Sequence, residues 1–183
     1  GLKEIYDVEY ATYMHDTVVT DIRIMFHKWG YDDWASERVL TMHAGLRRIP
    51  DGMLYHRGKG YAIEYESTQK SKSRYKDIFL EYDLERKIDK VIYVVRAEGL
   101  TATLCNEAKS YDKFRFVALC DLKEFQLNAR VQGNRNISGD TNSNGGTIGE
   151  IFNAQAGQRI VAGEAFDGLS LDERGIHSPF QDR

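Results

Sequence analysis

Three carboxylates and a run of cations crowd into one short stretch of the chain. Asp51, Glu64 and Glu66 are followed at once by Lys70-Ser-Lys72-Ser-Arg74-Tyr75-Lys76. Carboxylate oxygens are hard ligands that suit Mg²⁺, which takes one or two of them, keeps several waters and completes its shell with phosphate oxygens. Acid followed by base in this order is what a metal-dependent phosphodiesterase requires. The plainer alternative is a solvent-facing sheet edge on which water weakens the mutual repulsion of the acids.

The two readings divide on whether the acids share a face. Met53 to Arg57 and Tyr61 to Glu66 are short apolar and aromatic runs separated by Gly58-Lys59-Gly60, the pattern of a β-hairpin. With Gly58-Lys59 as a two-residue turn, Arg57 faces Gly60, Met53 faces Glu64 and Asp51 faces Glu66. Side chains alternate along a strand, so Asp51, Glu64 and Glu66 then point to one side. Lengthening the turn by one residue would send Asp51 to the other side. Ile63 and Tyr65 alternate with Ala62, Glu64 and Glu66, which predicts one buried face and one acidic face.

Basic residues flank the acids at Arg47-Arg48, at Arg57 and Lys59, and from Lys70 to Lys76. A bound cation would neutralise part of the acid and leave a surface able to hold a phosphate backbone. Arg48, Lys70, Lys72, Arg74 and Lys76 are the candidate DNA contacts. His15 next to Asp16 lies on the edge of a helical apolar stripe, where packing is the simpler role. His43 reads as a packed or solvated histidine. Eleven tyrosines make the residue type uninformative about a nucleophile.

Pro50-Asp51 followed by Glu64-Tyr65-Glu66 at the end of the next strand resembles the signature of the PD-(D/E)XK nuclease superfamily. Within it the wider pattern is most similar to the MobC-type plasmid mobilisation relaxases and the replication-relaxation proteins. The matching pieces are His15-Asp16, Trp34, Glu37, Pro50-Asp51, Glu64-x-Glu66 and Lys70, over roughly residues 10 to 120. The resemblance implies a restriction-endonuclease-like core: an α/β fold with a mixed central sheet flanked by helices in the order α-β-β-β-α-β-α-β. It implies Mg²⁺ or Mn²⁺ on Asp51, Glu64, Glu66 and Glu37, with Asp51, Glu64, Glu66 and Lys70 as catalytic residues. The superfamily usually carries Lys where this chain has Glu66, and Lys70 is the nearest cation that could stand in.

The implied activity is that of a DNA endonuclease, more narrowly a relaxase nicking one strand at a plasmid transfer origin in the bacterial cytoplasm. Relaxosome accessory or coupling proteins would be its partners. A covalent step through Tyr55 or Tyr65 stays open. So does an inactive DNA-binding or relaxosome accessory module on the same fold, which the Glu66-for-Lys change favours.

The elements that must position these residues can be read from periodicity. A chain of 183 residues, 42% hydrophobic and 29% charged, suits one ordinary globular domain. A net charge of −3 excludes a protein that coats nucleic acid but not one with a local basic field. No apolar run approaches the about 20 residues of a membrane span. The first residue is Gly, and no signal peptide follows, so the chain is expected to be processed or cut from a longer one. Cys105 and Cys120 read as small core residues in a reducing compartment.

Residues 5–29 carry a stripe through Val18, Val19, Ile22, Met25 and Phe26, predicting a helix capped by Gly30. Glu37 is expected to start a strand running to Leu46. Ser67 or Thr68 is the expected cap of a helix from about Ser71 to Ile88, lined by Tyr75, Ile78, Phe79 and Tyr82. Lys90 to Val95 and Arg115 to Cys120 read as buried strands joined by a helix over Gly99 to Ser110, hence parallel. Residues 1–130 form the expected catalytic domain, and 131–183 a Gly- and Asn-rich, largely irregular extension.

Overall fold

The computed structural model describes residues 10–133 and 146–153. The N-terminal stripe forms α1 (Tyr10–Lys28), closed by Gly30 at φ +84°. Next come β1 (Trp34–Ser36) and α2 (Glu37–His43). The hairpin is β2 (Gly52–His56) and β3 (Lys59–Glu66). Beyond it lie α3 (Lys72–Leu84), β4 (Lys90–Val95), α4 (Glu98–Glu107) and β5 (Phe114–Ala118). The described chain closes with α5 (Leu119–Phe125), β6 (Gln132–Gly133) and α6 (Ile148–Asn153).

The six strands form one mixed sheet in the order β1-β2-β3-β4-β5-β6. β3, β4 and β5 run parallel, while β1, β2 and β6 pair antiparallel with their neighbours. The fold is therefore α/β with helices on both faces. On one face Tyr75, Phe79 and Tyr82 of α3 and Leu104 of α4 pack on Ala62, Val91 and Tyr93. On the other, Ile22 and Phe26 of α1 pack with Leu54, Ile63, Ile92 and Val94. The parallel strands read as continuous apolar runs because both of their faces are covered.

Several boundaries differ from expectation for definable reasons. Residues 37–43 are helical: Leu40 and Ala44 are buried at a spacing of four, while Val39 and Met42 stay exposed, so a helical period wins over the partial alternation. α3 is capped by Ser71, whose hydroxyl accepts the Arg74 N–H at 3.3 Å, in place of Ser67 or Thr68. It ends at Leu84, where Glu85 turns extended. β5 stops at Ala118 and the chain enters α5 directly, leaving Cys120 exposed and not in the core.

The stretch past residue 130 is not wholly irregular. β6 pairs with β5, and Arg130 bridges to Thr147. Thr147 and Glu150 exchange hydrogen bonds in a capping box that starts α6. Ile148 and Phe152 then enter the α1-side core, with the Phe152 ring 4.5 Å from Tyr61 and 4.6 Å from Tyr31. The expected Gly- and Asn-rich segment between them and the expected tail lie outside the described residues.

The hairpin turn is Arg57-Gly58, one position earlier than expected. Arg57 and Gly58 both take positive φ, 51° and 74°, as a type I′ turn requires. His56 pairs with Lys59 and Gly52 with Ile63. Sliding the turn by one residue shifts the pairing by two, which preserves every side chain's face. Asp51 thus lies opposite Glu64, not Glu66.

Gly52 precedes this crossing for a steric reason. A Cβ there would sit 2.0 Å from Cζ2 of Trp34, whose indole lies over the glycine. Gly52→Ala should therefore destabilise the fold by about 1–3 kcal/mol through overpacking. Urea unfolding checks this, and an unchanged midpoint would refute the close packing of Trp34 on Gly52.

Candidate carboxylate site at the end of β3

Glu64 and Glu66 point to the α3 side of the sheet, and this face is not left to solvent as expected. Glu66 is buried, with its side chain only 4% exposed, and Glu64 is largely covered. α3 spans them because Tyr75, Ile78, Phe79 and Tyr82 form a single inner stripe. Tyr82, wholly buried, donates its hydroxyl hydrogen to Glu64 Oε1. Arg48 Nε approaches the same oxygen at 3.6 Å, and its Nη1 reaches Glu81 Oε2 at 3.2 Å. On β4, Tyr93 pairs with Glu64 in register and is buried beside it.

Asp51 is set at the mouth of the hairpin. Glu85, itself buried, accepts the Arg47 N–H at 3.2 Å and the Lys87 N–H at 3.0 Å, which pins the approach to Pro50. The regular ladder ends at Gly52. Beyond it, the Tyr65 N–H donates to Asp51 Oδ2 at 2.7 Å, so a side chain stands where a longer β2 would place a backbone carbonyl. His15 reaches Asp51 from α1, on the opposite face of the sheet from Glu64. Its Nε2 is 3.3 Å from Asp51 Oδ2, its Nδ1 is 3.5 Å from Asp16 Oδ1, and its ring lies 5.4 Å from that of Tyr65.

The electrostatics follow from this geometry. Burial, and then the nearby Asp51 charge, push the Glu64 carboxyl up to about 8, against the pull of the Tyr82 hydroxyl, Arg48 and Lys70. The hydrogen bond to Asp51 raises the His15 imidazole to about 9, in spite of partial burial. The Glu64 carboxyl therefore resists ionisation where it stands.

The donor set fits a small hard cation. Both protein contacts of Glu64 fall on Oε1, and both of Asp51 fall on Oδ2. Among the described residues, Asp51 Oδ1 and Glu64 Oε2 receive no hydrogen bond. Two adjacent carboxylates, one of them reluctant to ionise without a compensating charge, are what Mg²⁺ or Mn²⁺ binds beside phosphate.

The larger ligand set drawn from the resemblance is not gathered. Among the described residues no three His, Cys, Asp or Glu side chains are placed to hold a metal ion together. Glu66 is bound to Lys70, whose ammonium donates to Oε2 and whose N–H donates to the Tyr75 hydroxyl at 2.9 Å. A buried carboxylate needs such a partner, and Lys70 supplies it to Glu66 while its own side chain stays 29% exposed. Glu37 is exposed at the start of α2.

Of the expected DNA contacts, Lys72 reaches Glu107 at 3.2 Å, while Arg74 and Lys76 stand exposed on the first turns of α3. Sequence reasoning gave Tyr82 a packing role, and gave His15 packing as the simpler role beside its place in the resemblance. His15 lies seven residues before Ile22 and eleven before Phe26, on the inner stripe, a spacing that marks it as facing the sheet but not which strand end it meets. No protein-family model, no curated protein and no solved structure matches this chain.

The raised Glu64 value has a stability consequence. A carboxyl whose folded pKa exceeds its unfolded 4.5 binds its proton more tightly in the folded state. Its contribution is complete below pH 4.5 and is lost as pH rises through about 8. In chelator, wild-type unfolding free energy should fall more between pH 5 and 8 than that of Glu64→Gln. Urea titrations across that range measure both slopes, and equal slopes would contradict the assignment.

Proposed function

We propose that this chain is a Mg²⁺- or Mn²⁺-dependent DNA endonuclease on a restriction-endonuclease-like core. The narrower reading is a relaxase that nicks one strand at a plasmid transfer origin in the bacterial cytoplasm, with relaxosome accessory or coupling proteins as partners. The observation that supports the activity is the placement of Asp51 and Glu64 just past the end of the β2–β3 ladder, with one oxygen of each free of hydrogen bonds among the described residues. The narrower reading rests on the resemblance carried by His15-Asp16, Trp34, Glu37 and Glu64-x-Glu66.

Asp51 and Glu64 would hold the cation, which would supply Lewis-acid activation of water and charge stabilisation at the scissile phosphate. The chain's residues do the rest. Tyr82 and Arg48 hold Glu64 by Oε1. Asp51 is held through Oδ2 and presents Oδ1. Arg74 and Lys76 supply exposed cations on the first turns of α3, where a basic turn opposes the helix dipole and suits contact with a phosphate backbone. Lys70 keeps Glu66 neutralised.

A second reading, an inactive DNA-binding or relaxosome accessory module, is favoured by the Glu66–Lys70 pair. It occupies the cation that would otherwise replace the superfamily lysine.

Nicking of supercoiled plasmid, with and without Mg²⁺ or Mn²⁺, separates the two. The expected outcome is metal-dependent nicking that falls to background in Asp51→Ala and Glu64→Ala, with both variants folded by circular dichroism. Arg74→Ala and Lys76→Ala should weaken DNA binding and each reduce its salt dependence by about one phosphate contact. DNA binding without cleavage at any metal concentration would establish the accessory reading. DNA that stays attached to protein in a denaturing gel after cleavage would replace hydrolysis by a tyrosine-linked step.

A further inference from the structure

His15 is the only side chain among the described residues that reaches Asp51 by ion pair from outside the sheet, and it does so across the sheet's thickness from Glu64. Asp51 Oδ2 is held by two contacts on different rigid elements, the Tyr65 N–H of β3 and the Nε2 of His15 on α1. A carboxylate held by one oxygen at two points has its plane fixed, so the direction of the other oxygen is fixed as well.

The ring is equally constrained. It lies against Tyr65, and its Nδ1 faces Asp16 Oδ1. Both ring nitrogens therefore face carboxylate oxygens, Nε2 at 3.3 Å and Nδ1 at 3.5 Å. α1 cannot slide to release this contact, because Ile22 and Phe26 anchor it fully buried about two and three turns further on. If His15 merely filled the rim of the core, neither nitrogen would be directed at an acid.

We infer that His15 is a positioning residue, which holds Asp51 so that Oδ1 turns toward the cation shared with Glu64. This deepens, and rests on, the metal site proposed above. Outer partners of ligating carboxylates typically contribute about 10–100-fold in metal affinity.

The test is Mn²⁺ binding by isothermal titration calorimetry without DNA, on wild type, His15→Ala and His15→Gln. Thermal unfolding in chelator confirms that each variant is folded. Glutamine can place its amide nitrogen near the position of His15 Nε2 and donate to the same oxygen.

The inference expects Mn²⁺ affinity to fall about 10-fold or more in His15→Ala and to return to within about threefold of wild type in His15→Gln. Wild-type affinity in the alanine variant would overturn it while leaving the Asp51–Glu64 site standing. So would equal weakness in a folded glutamine variant, which would show that shape rather than the donor mattered. If wild type binds no Mn²⁺, the metal site itself fails and this role fails with it.

Discussion

On the β2 side of β3, the Tyr65 N–H must find an acceptor after the backbone ladder has stopped at Gly52. The Asp51 carboxylate supplies it, at the point where Pro50 can offer the sheet no donor. Much of the site follows from this substitution of a side chain for a carbonyl. It fixes Asp51 beside Glu64, leaves one aspartate oxygen uncommitted, and creates the acceptor that His15 meets from α1. The Glu85 carboxylate, by gripping the Arg47 and Lys87 amides, delivers the preceding segment to that spot.

The site spans the sheet instead of lying on one face. Glu64 and Glu66 belong to the α3 side, among tyrosines whose hydroxyls serve the acids: Tyr82 for Glu64, and Tyr75 through the Lys70 backbone beside Glu66. His15 belongs to the α1 side. Burying two carboxylates under a helix is costly unless each has a partner. Glu66 has a full one in Lys70, while Glu64 has a hydroxyl and an arginine at 3.6 Å. That inequality separates the acid that serves structure from the acid left needing charge.

The central strands were legible because Lys90 to Val95 is apolar nearly throughout and a parallel interior strand has to be. The inner stripe of α3 was legible for the same reason of period. The common face of Glu64 and Glu66 survived a wrong turn position because the error displaced the pairing by two residues and not one. What could not be read is what depends on contacts distant in sequence. The short α2 was hidden because Leu40, Met42, Ala44 and Leu46 alternate as a strand would, although Met42 is exposed. The ion pair of Glu66 with Lys70 could not be read either, because only the fold of the intervening loop joins them. His15 could be placed on an inner stripe, but its partner lies 36 positions away in the chain and on another element.

The aromatic nest around Phe152 bears on how the chain can be divided. Phe152 joins Phe26, Tyr31, His56 and Tyr61 from well past the Asn-rich stretch. Trimming the polypeptide at the compositional break near Gln132 would strip a hydrophobic plug from beneath the first helix and uncover greasy rings, inviting self-association. The same helix carries His15, so a cut made for convenience at one end would loosen the acid-holding apparatus at the other.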